Sequence, residues 1–321
     1  MADKLYGGTI NLMGKSYRKF GWNAVFVDTD NPEAFRKAVT EKTRAIFIEN
    51  LANPGGVVVD LEAIAKVADE AGVPLVVDNT MATPYLCQPF EWGADLVVHS
   101  TTKFLSGQGN AVGGVVIDSG KFPWLGNSKF PSLSTPSPEY NGLTFAETFG
   151  DLAYTMYSHA ISLRDLGCTQ SPMNAWITLN GIETLPLRME RHCSNSLAVA
   201  KFLEKQANVE WVSHAGLESS PYFELGNKYL PEGTGSVFTF GVKGGYESGL
   251  KMLESVELFS HVANIGDTRS LILHPASTTH RQLTEEQRLA AGAGPEVIRL
   301  SIGIECVEDI ISDLDQALNC L

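Results

Sequence analysis

Two short apolar runs, residues 74–77 and 96–98, carry the clearest pattern in the chain, and each ends abruptly in polar residues: Asp78 after the first, His99-Ser100-Thr101-Thr102-Lys103 after the second. Uniformly apolar runs of this length that stop at once in polar side chains read as buried parallel strands reaching a functional rim. Strand-like and helix-like patterns alternate on the N-terminal side. A helical pattern at 10–19 precedes a strand at 24–28, a helix at 31–39 with Pro32 in its first turn, and a strand at 45–48. Asn53-Pro54-Gly55-Gly56 then breaks the chain, and Asp60 is placed to cap a helix over 61–71 ahead of the 74–78 strand. Strands separated by helices, at intervals too long for hairpins, predict a parallel sheet covered on both faces. In such open sheets the ligand crevice lies outside the carboxyl ends of the strands, so Asp78 and Lys103 are expected to meet there.

Beyond Lys103 the pattern loosens. Gly107-Gln108-Gly109-Asn110 leads to a strand at 112–117, and residues 121–150, with Pro123, Pro131, Pro136 and Pro138, read as a long irregular excursion over the surface. Helical spacing returns at 153–164 and again over 175–206. A second unit is expected from Ala207, with strands at 210–213 and 236–242 and helices at 245–255 and 308–320. The predicted organisation is α/β: a large domain over 1–206 and a smaller α+β domain over 207–321. At the very start, Leu5-Tyr6-Gly7-Gly8-Thr9 reads as a tight glycine-rich turn that presents an aromatic side chain.

Composition narrows the function classes. With 321 residues, 44% of them hydrophobic and 19% charged, the chain has ample material for a core. A net charge of −13 argues against nucleic acid and acidic membranes as partners. The cysteines, Cys87, Cys168, Cys193, Cys306 and Cys320, are scattered and form no CxxC pair, so neither a disulfide framework nor a zinc site is expected. No apolar run reaches membrane-spanning length and no basic-then-apolar leader opens the chain, which together predict a cytoplasmic protein with no membrane partner.

The polar residues at the strand ends suggest a chemistry. A lone lysine after a strand is ordinarily a solvated loop residue, but a partly desolvated amine has a lowered pKa and condenses with carbonyls. Ser100 and Thr102 alternate onto one side with hydroxyls that can donate to an anion. Asp78 reads either as a turn or N-cap residue or as the partner of a cationic ring nitrogen. An amine for a carbonyl, an aspartate for a pyridinium and hydroxyls for a phosphate are together what pyridoxal 5′-phosphate requires.

VVDNTMATPY, GADLVVHSTTKFLSGQGN, LYGGT, NLANPGG, HPASTTH and RLSIGIE resemble the Cys/Met-metabolism family of fold-type-I pyridoxal phosphate enzymes. DSGKFPW, LRDLGCTQSP, GIETLPLRMERHC, KYLPEGTGSVFTF and VANIGDTRSLILHPASTTHRQL are most similar to its O-acetylhomoserine branch, and the likeness runs from Leu5 to Leu318. It implies a mostly parallel sheet in the large domain. Lys103 would hold the cofactor and shuttle protons, Asp78 would hold the ring nitrogen, Ser100 and Thr102 the phosphate, and Tyr6 would stack on the ring and assist proton transfer. Asn53 would lie near the ring oxygen and the substrate carboxylate, which Arg299 would clamp with its two-pronged guanidinium. Asn264 stands near that carboxylate where related lyases tend to have serine, a departure that favours the sulfhydrylase side of the family. His99 is expected in the core or just behind the site residues and not as a general base, and His274 and His280 near the active-site mouth.

The implied reaction is γ-replacement on O-acetylhomoserine by sulfide or methanethiol, giving homocysteine or methionine and acetate. A cystathionine γ-synthase or methionine γ-lyase reaction and a non-catalytic partner subunit are the alternative readings. The resemblance further implies a dimer of dimers with sites built between subunits. Family chains carry roughly a hundred more residues before the LYGGT turn, about a small domain's worth, so one wall of the pocket is expected to lie outside this chain.

Overall fold

The larger sheet is built from short, β-branched runs whose inward side chains are fully covered. In the computed structural model, which describes residues 1–53, 55–279, 281, 284–290 and 292–321, it comprises β1 (Ile46–Glu49), β4 (Leu75–Asp78), β5 (Leu96–Ser100) and β6 (Gly114–Asp118). Between the first two of these lies a small antiparallel hairpin, β2 (Leu51–Ala52) and β3 (Val57–Val58). The strand order is β1-β4-β5-β6, with β1, β4 and β5 parallel and β6 antiparallel to β5. Ile46, Ile48, Leu75, Val77, Leu96 and Val97 are buried, which is what continuous apolar runs demand of strands covered on both faces. Register places Glu49 opposite Asp78 and Asp78 opposite Val98, so the carboxyl ends of three strands form one rim.

The covering helices start where their caps put them. Asn31 accepts from the backbone N–H groups of Glu33 and Ala34 and opens the Pro32–Ala38 helix. Asp60 accepts from Ala63 N at 3.3 Å and opens Leu61–Ala71, whose Leu61, Ile64, Val67 and Ala68 form one buried stripe before Gly72 ends it in the left-handed region.

The second sheet contains β7 (Val209–Ser213), β8 (Val237–Val242), β9 (Ser260–His261), β10 (Leu271–Leu273) and β11 (Val297–Ser301), in the order β7-β8-β11-β10-β9. Its pairings are antiparallel except for β9 with β10. Phe238, Phe240, Ile298 and Leu300 from the sheet pack with Met252 of the Gly245–Ser255 helix and with Ile310 and Leu314 of Val307–Asn319. The Leu185–Leu203 helix serves both cores, giving Leu185 and Met189 to the first and Val199, Ala200 and Leu203 to the second.

Several expectations are corrected. Leu5-Tyr6-Gly7-Gly8-Thr9 is not a tight turn: Tyr6 is the N-cap of a helix, Gly7–Asn11, that continues through wider and tighter turns to Phe20. The strand expected at 24–28 is reduced to a single bridge between Ala2 and Val27. The stretch 121–150 is not irregular. It folds into short helices, Pro131–Ser134 and Phe145–Phe149 among them, around its own aromatic core of Phe122, Trp124 and Phe145. Pro131 sits in the first turn of its helix, where proline is tolerated, and does not break it. The long helical region divides into Pro172–Glu183 and Leu185–Leu203, with Pro186 in the first turn of the second. The β10 and β11 strands were not expected; Arg299 and Ser301 interrupt the apolar pattern of a strand that is nevertheless wholly buried. Pro54 and His280 lie outside the described residues.

Candidate active site

The rim of the larger sheet is cross-linked by its own side chains. Asp78 Oδ1 accepts from Thr80 N at 2.9 Å, and Thr80 Oγ1 accepts from Ser100 N at 2.8 Å, tying the end of β4 to the end of β5. Burial pushes the Asp78 carboxyl above the usual carboxylate range, against the pull of the Thr80 hydrogen bonds.

After Ser100 the chain makes one wide turn, Thr101–Leu105, in which Lys103 leaves helical geometry at φ −94° and ψ −129°. Three contacts hold it there. Thr101 N donates to Gly113 O at 3.0 Å, Thr102 Oγ1 accepts from Gly113 N at 3.1 Å, and Arg188 Nη1 donates to Phe104 O at 2.8 Å. The turn is also closely overlaid by the 264–267 loop. A Cβ on Gly266, which adopts φ +71°, would stand 2.7 Å from Phe104 N, so only glycine lets the loop approach.

That approach brings Asn264 to the lysine. Lys103 Nζ donates to Asn264 Oδ1, and burial first, then the nearby Arg299, lowers the amine's pKa from its ordinary value. Arg299, on β11, is only 9% exposed and donates to Asn53 Oδ1 at 3.3 Å and to Asn264 O at 3.1 Å. Its burial lowers its pKa to about 10. Asn53 N donates to Glu49 Oε2 at 3.1 Å, and Tyr6 N donates to Glu49 Oε1 at 2.6 Å. The Tyr6 ring, 54% exposed, folds over Gly8, where a side chain would collide with it.

Two chains of contacts thus run at one end of the larger sheet, Asp78 through Thr80 to Ser100 and Lys103 through Asn264, Arg299, Asn53 and Glu49 to Tyr6, while Thr102, beside Lys103, bonds Gly113. The donor set has an unusual property. Asp78, Lys103 and Arg299 are an acid, an amine and a guanidinium in one cluster, yet among the described residues none of them has an ion-pair partner. Uncompensated charge away from water is costly unless a ligand completes it. The complement of these three groups is a cationic ring nitrogen, a carbonyl carbon and a carboxylate, which pyridoxal phosphate and an amino acid supply between them.

Two histidines stay apart. His99 is buried, with Nδ1 unpartnered and a pKa lowered to about 4 by desolvation, as suits a core residue. His274, expected near the mouth, is fully buried and bonds Ser277 Oγ at 3.0 Å and Pro295 O at 2.8 Å; the structure does not bring it into the cluster. Four contributors escaped the reading of the sequence: Glu49, Thr80, Arg188 and Gly266. Glu49 carried a usable signal, since it closes the apolar run 45–48 as Asp78 closes 74–77.

The family model described as Cys/Met metabolism PLP-dependent enzyme matches residues 1–319. The chain belongs to this family. Among similar proteins, an O-acetyl-L-homoserine sulfhydrylase of Leptospira meyeri is 48% identical over 99% of this chain and 74% of its own length. A homocysteine synthase of Schizosaccharomyces pombe is 46% identical over 98% of this chain and 74% of its own. A crystal structure from Campylobacter jejuni, assigned as an O-acetylhomoserine (thiol)-lyase and carrying a pyridoxyl-lysine phosphate, aligns with a TM-score of 0.95 at 38% identity, over 99% of this chain and 76% of that one. The Cys/Met metabolism PLP-dependent enzyme described here therefore has the fold-type-I architecture, and pyridoxal 5′-phosphate is its cofactor.

Proposed function

We propose that the chain catalyses γ-replacement on O-acetyl-L-homoserine, with sulfide or methanethiol as nucleophile and acetate as leaving group. The observation that carries this reading is the acid–amine–guanidinium cluster without counter-charges; the substrate comes from the sulfhydrylase and homocysteine synthase relatives.

Pyridoxal phosphate, when bound, supplies an electron-withdrawing ring that stabilises negative charge at the substrate's α-carbon. In this reading Lys103 holds the cofactor's carbonyl carbon, Asp78 the ring nitrogen, Ser100 and Thr102 the phosphate, Asn53 the ring oxygen, and Tyr6 the ring face. Arg299 receives the substrate carboxylate, its guanidinium already aimed by Asn53 Oδ1 and Asn264 O. Bidentate capture fixes the α-carbon relative to the amine. Lys103, displaced by the substrate's amino group, would take the α-proton, pass it on and then take a β-proton; acetate would leave the γ-carbon, the thiol would add there, and Lys103 would return protons to the β- and α-carbons as the product is released. Its lowered pKa keeps more of the amine neutral near pH 7 than a solvated lysine would have, as a base requires. Asn264 Oδ1 would steady the amine between transfers, and Tyr6 would assist them.

The nucleophile is tested by offering O-acetylhomoserine with sulfide or with cysteine and following homocysteine, cystathionine and acetate. Homocysteine and acetate in equal amounts are expected with sulfide; consumption of cysteine alone, with cystathionine as product, overturns the reading.

The division into 1–206 and 207–321 and a dimer-of-dimers assembly belong to the same proposal. The Pro172–Glu183 helix supports the assembly: Met173, Trp176, Leu179 and Ile182 lie exposed at helical spacing, with Leu187 exposed beyond them. Light scattering is expected to give a tetramer's mass, and a monomer at micromolar concentration overturns the assembly. No helix among the described residues is long and apolar enough to cross a membrane. A cytoplasmic location completes the reading, and cell fractionation checks it.

A further inference from the structure

Glu49 bonds two members of the cluster, and the reaction above gives it no task. It ends β1 as Asp78 ends β4, and the two are register partners on adjacent parallel strands. The side chain is 4% exposed and has no cationic partner among the described residues. Both of its oxygens are engaged by backbone: Oε1 by Tyr6 N at 2.6 Å and Oε2 by Asn53 N at 3.1 Å. These two N–H groups come from segments far apart in sequence, the cap of the first helix and the turn after β2. A carboxylate is the side chain that can accept from both at once, since glutamine has one carbonyl oxygen and aspartate a shorter reach.

We infer that Glu49 is a positioning residue, whose two oxygens fix the Tyr6 segment and the Asn53–Arg299 pair to the end of β1, beside Asp78. The chain of contacts is continuous: Tyr6 N to Glu49, Glu49 to Asn53 N, and Asn53 Oδ1 to Arg299 Nη1 at 3.3 Å. The inference rests on the reading that Tyr6, Asn53 and Arg299 line the cofactor and substrate site. Burial and the adjacent Asp78 push the Glu49 pKa up to about 8, against the pull of the Tyr6 and Asn53 N–H groups, so the ionised form that accepts from both is the one present above that pH; a group that served only to complete the core would be more cheaply an apolar side chain. Retaining it keeps two backbone donors satisfied and two walls in register.

The test uses Glu49→Gln, which is isosteric and retains one acceptor, beside Glu49→Ala. Glu49→Gln is expected to keep the wild-type melting temperature within a few degrees. Measured above pH 8, where Glu49 is ionised, its kcat/KM for O-acetylhomoserine should fall roughly 10- to 100-fold, the effect of one hydrogen bond to a charged group, through a raised KM as well as a lowered kcat. A second readout is independent of turnover. In protein labelled with 15N-tyrosine, the Tyr6 amide, assigned by its loss in Tyr6→Phe, should resonate far downfield in the wild type and move upfield in Glu49→Gln. A Glu49→Gln protein with wild-type kcat and KM overturns the inference, and so does a wild-type Tyr6 amide without the downfield shift, even if both Glu49 variants fail to fold. Should the wild type not turn over O-acetylhomoserine at all, the reaction assignment falls while the amide resonance still decides the role of Glu49.

Discussion

Replacing Lys103 by alanine is expected to abolish the visible absorbance that pyridoxal phosphate gains on condensing with a lysine amine, and to lower kcat by roughly a thousandfold or more, since attachment and proton transfer are lost together. The structure gives three reasons for placing both roles on this residue. It is the amine of the cluster, half-buried, with a neutral carboxamide as its hydrogen-bond partner, so no carboxylate among the described residues pairs with it to hold it in the ammonium form. Burial and Arg299 both lower its pKa, and the neutral amine is the form that attacks a carbonyl. Its backbone departs from helical geometry, and Phe104 O, one residue on, is pinned by Arg188. Folding should survive the substitution, because Lys103→Ala removes one hydrogen bond and relieves the proximity of two cations; an unchanged melting curve of the cofactor-free protein checks this. A full absorbance band in the variant would move the attachment to another lysine.

The parts of this site that were legible in the sequence are those produced by a local rule. Asp78 and Lys103 stand where uniformly apolar strands stop, and the α/β alternation says which end of the sheet they share. The same rule applied to residues 45–48 points to Glu49, but a glutamate after a strand is so ordinary that only its burial and its two backbone donors single it out. Arg299, Asn264 and Asn53 were accessible through family resemblance alone. They meet through pairings between segments separated by most of the chain, and no periodicity in any one segment reports such a contact. Gly266 is the extreme case: its importance lies in one loop passing so close to another's backbone that a Cβ there would stand 2.7 Å from Phe104 N. The aromatic unit over 121–150 was missed for a related reason, since Phe122, Trp124 and Phe145 form a core by clustering in space without helical or strand spacing.

Arg299→Lys is expected to raise the KM for O-acetylhomoserine roughly 100-fold, about 3 kcal/mol, with a smaller effect on kcat. The guanidinium is held from two sides by neutral oxygens, Asn53 Oδ1 at 3.3 Å and Asn264 O at 3.1 Å, which orient it without neutralising it. With its pKa lowered to about 10, it remains protonated at neutral pH and carries an uncompensated charge. A carboxylate arriving there exchanges its hydration for a two-pronged, charge-assisted pair in a site of low exposure, where such pairs are strongest. Lysine supplies the charge but neither the fork nor the means to satisfy both oxygens while binding the ligand. The sensitivity should therefore follow the carboxylate and not the amine: an amine analogue lacking the carboxyl group should perturb the spectrum of the holoenzyme equally in the wild type and in Arg299→Lys. Equal losses for both ligands would show that Arg299 supports the fold around the cofactor and does not receive the substrate's carboxylate.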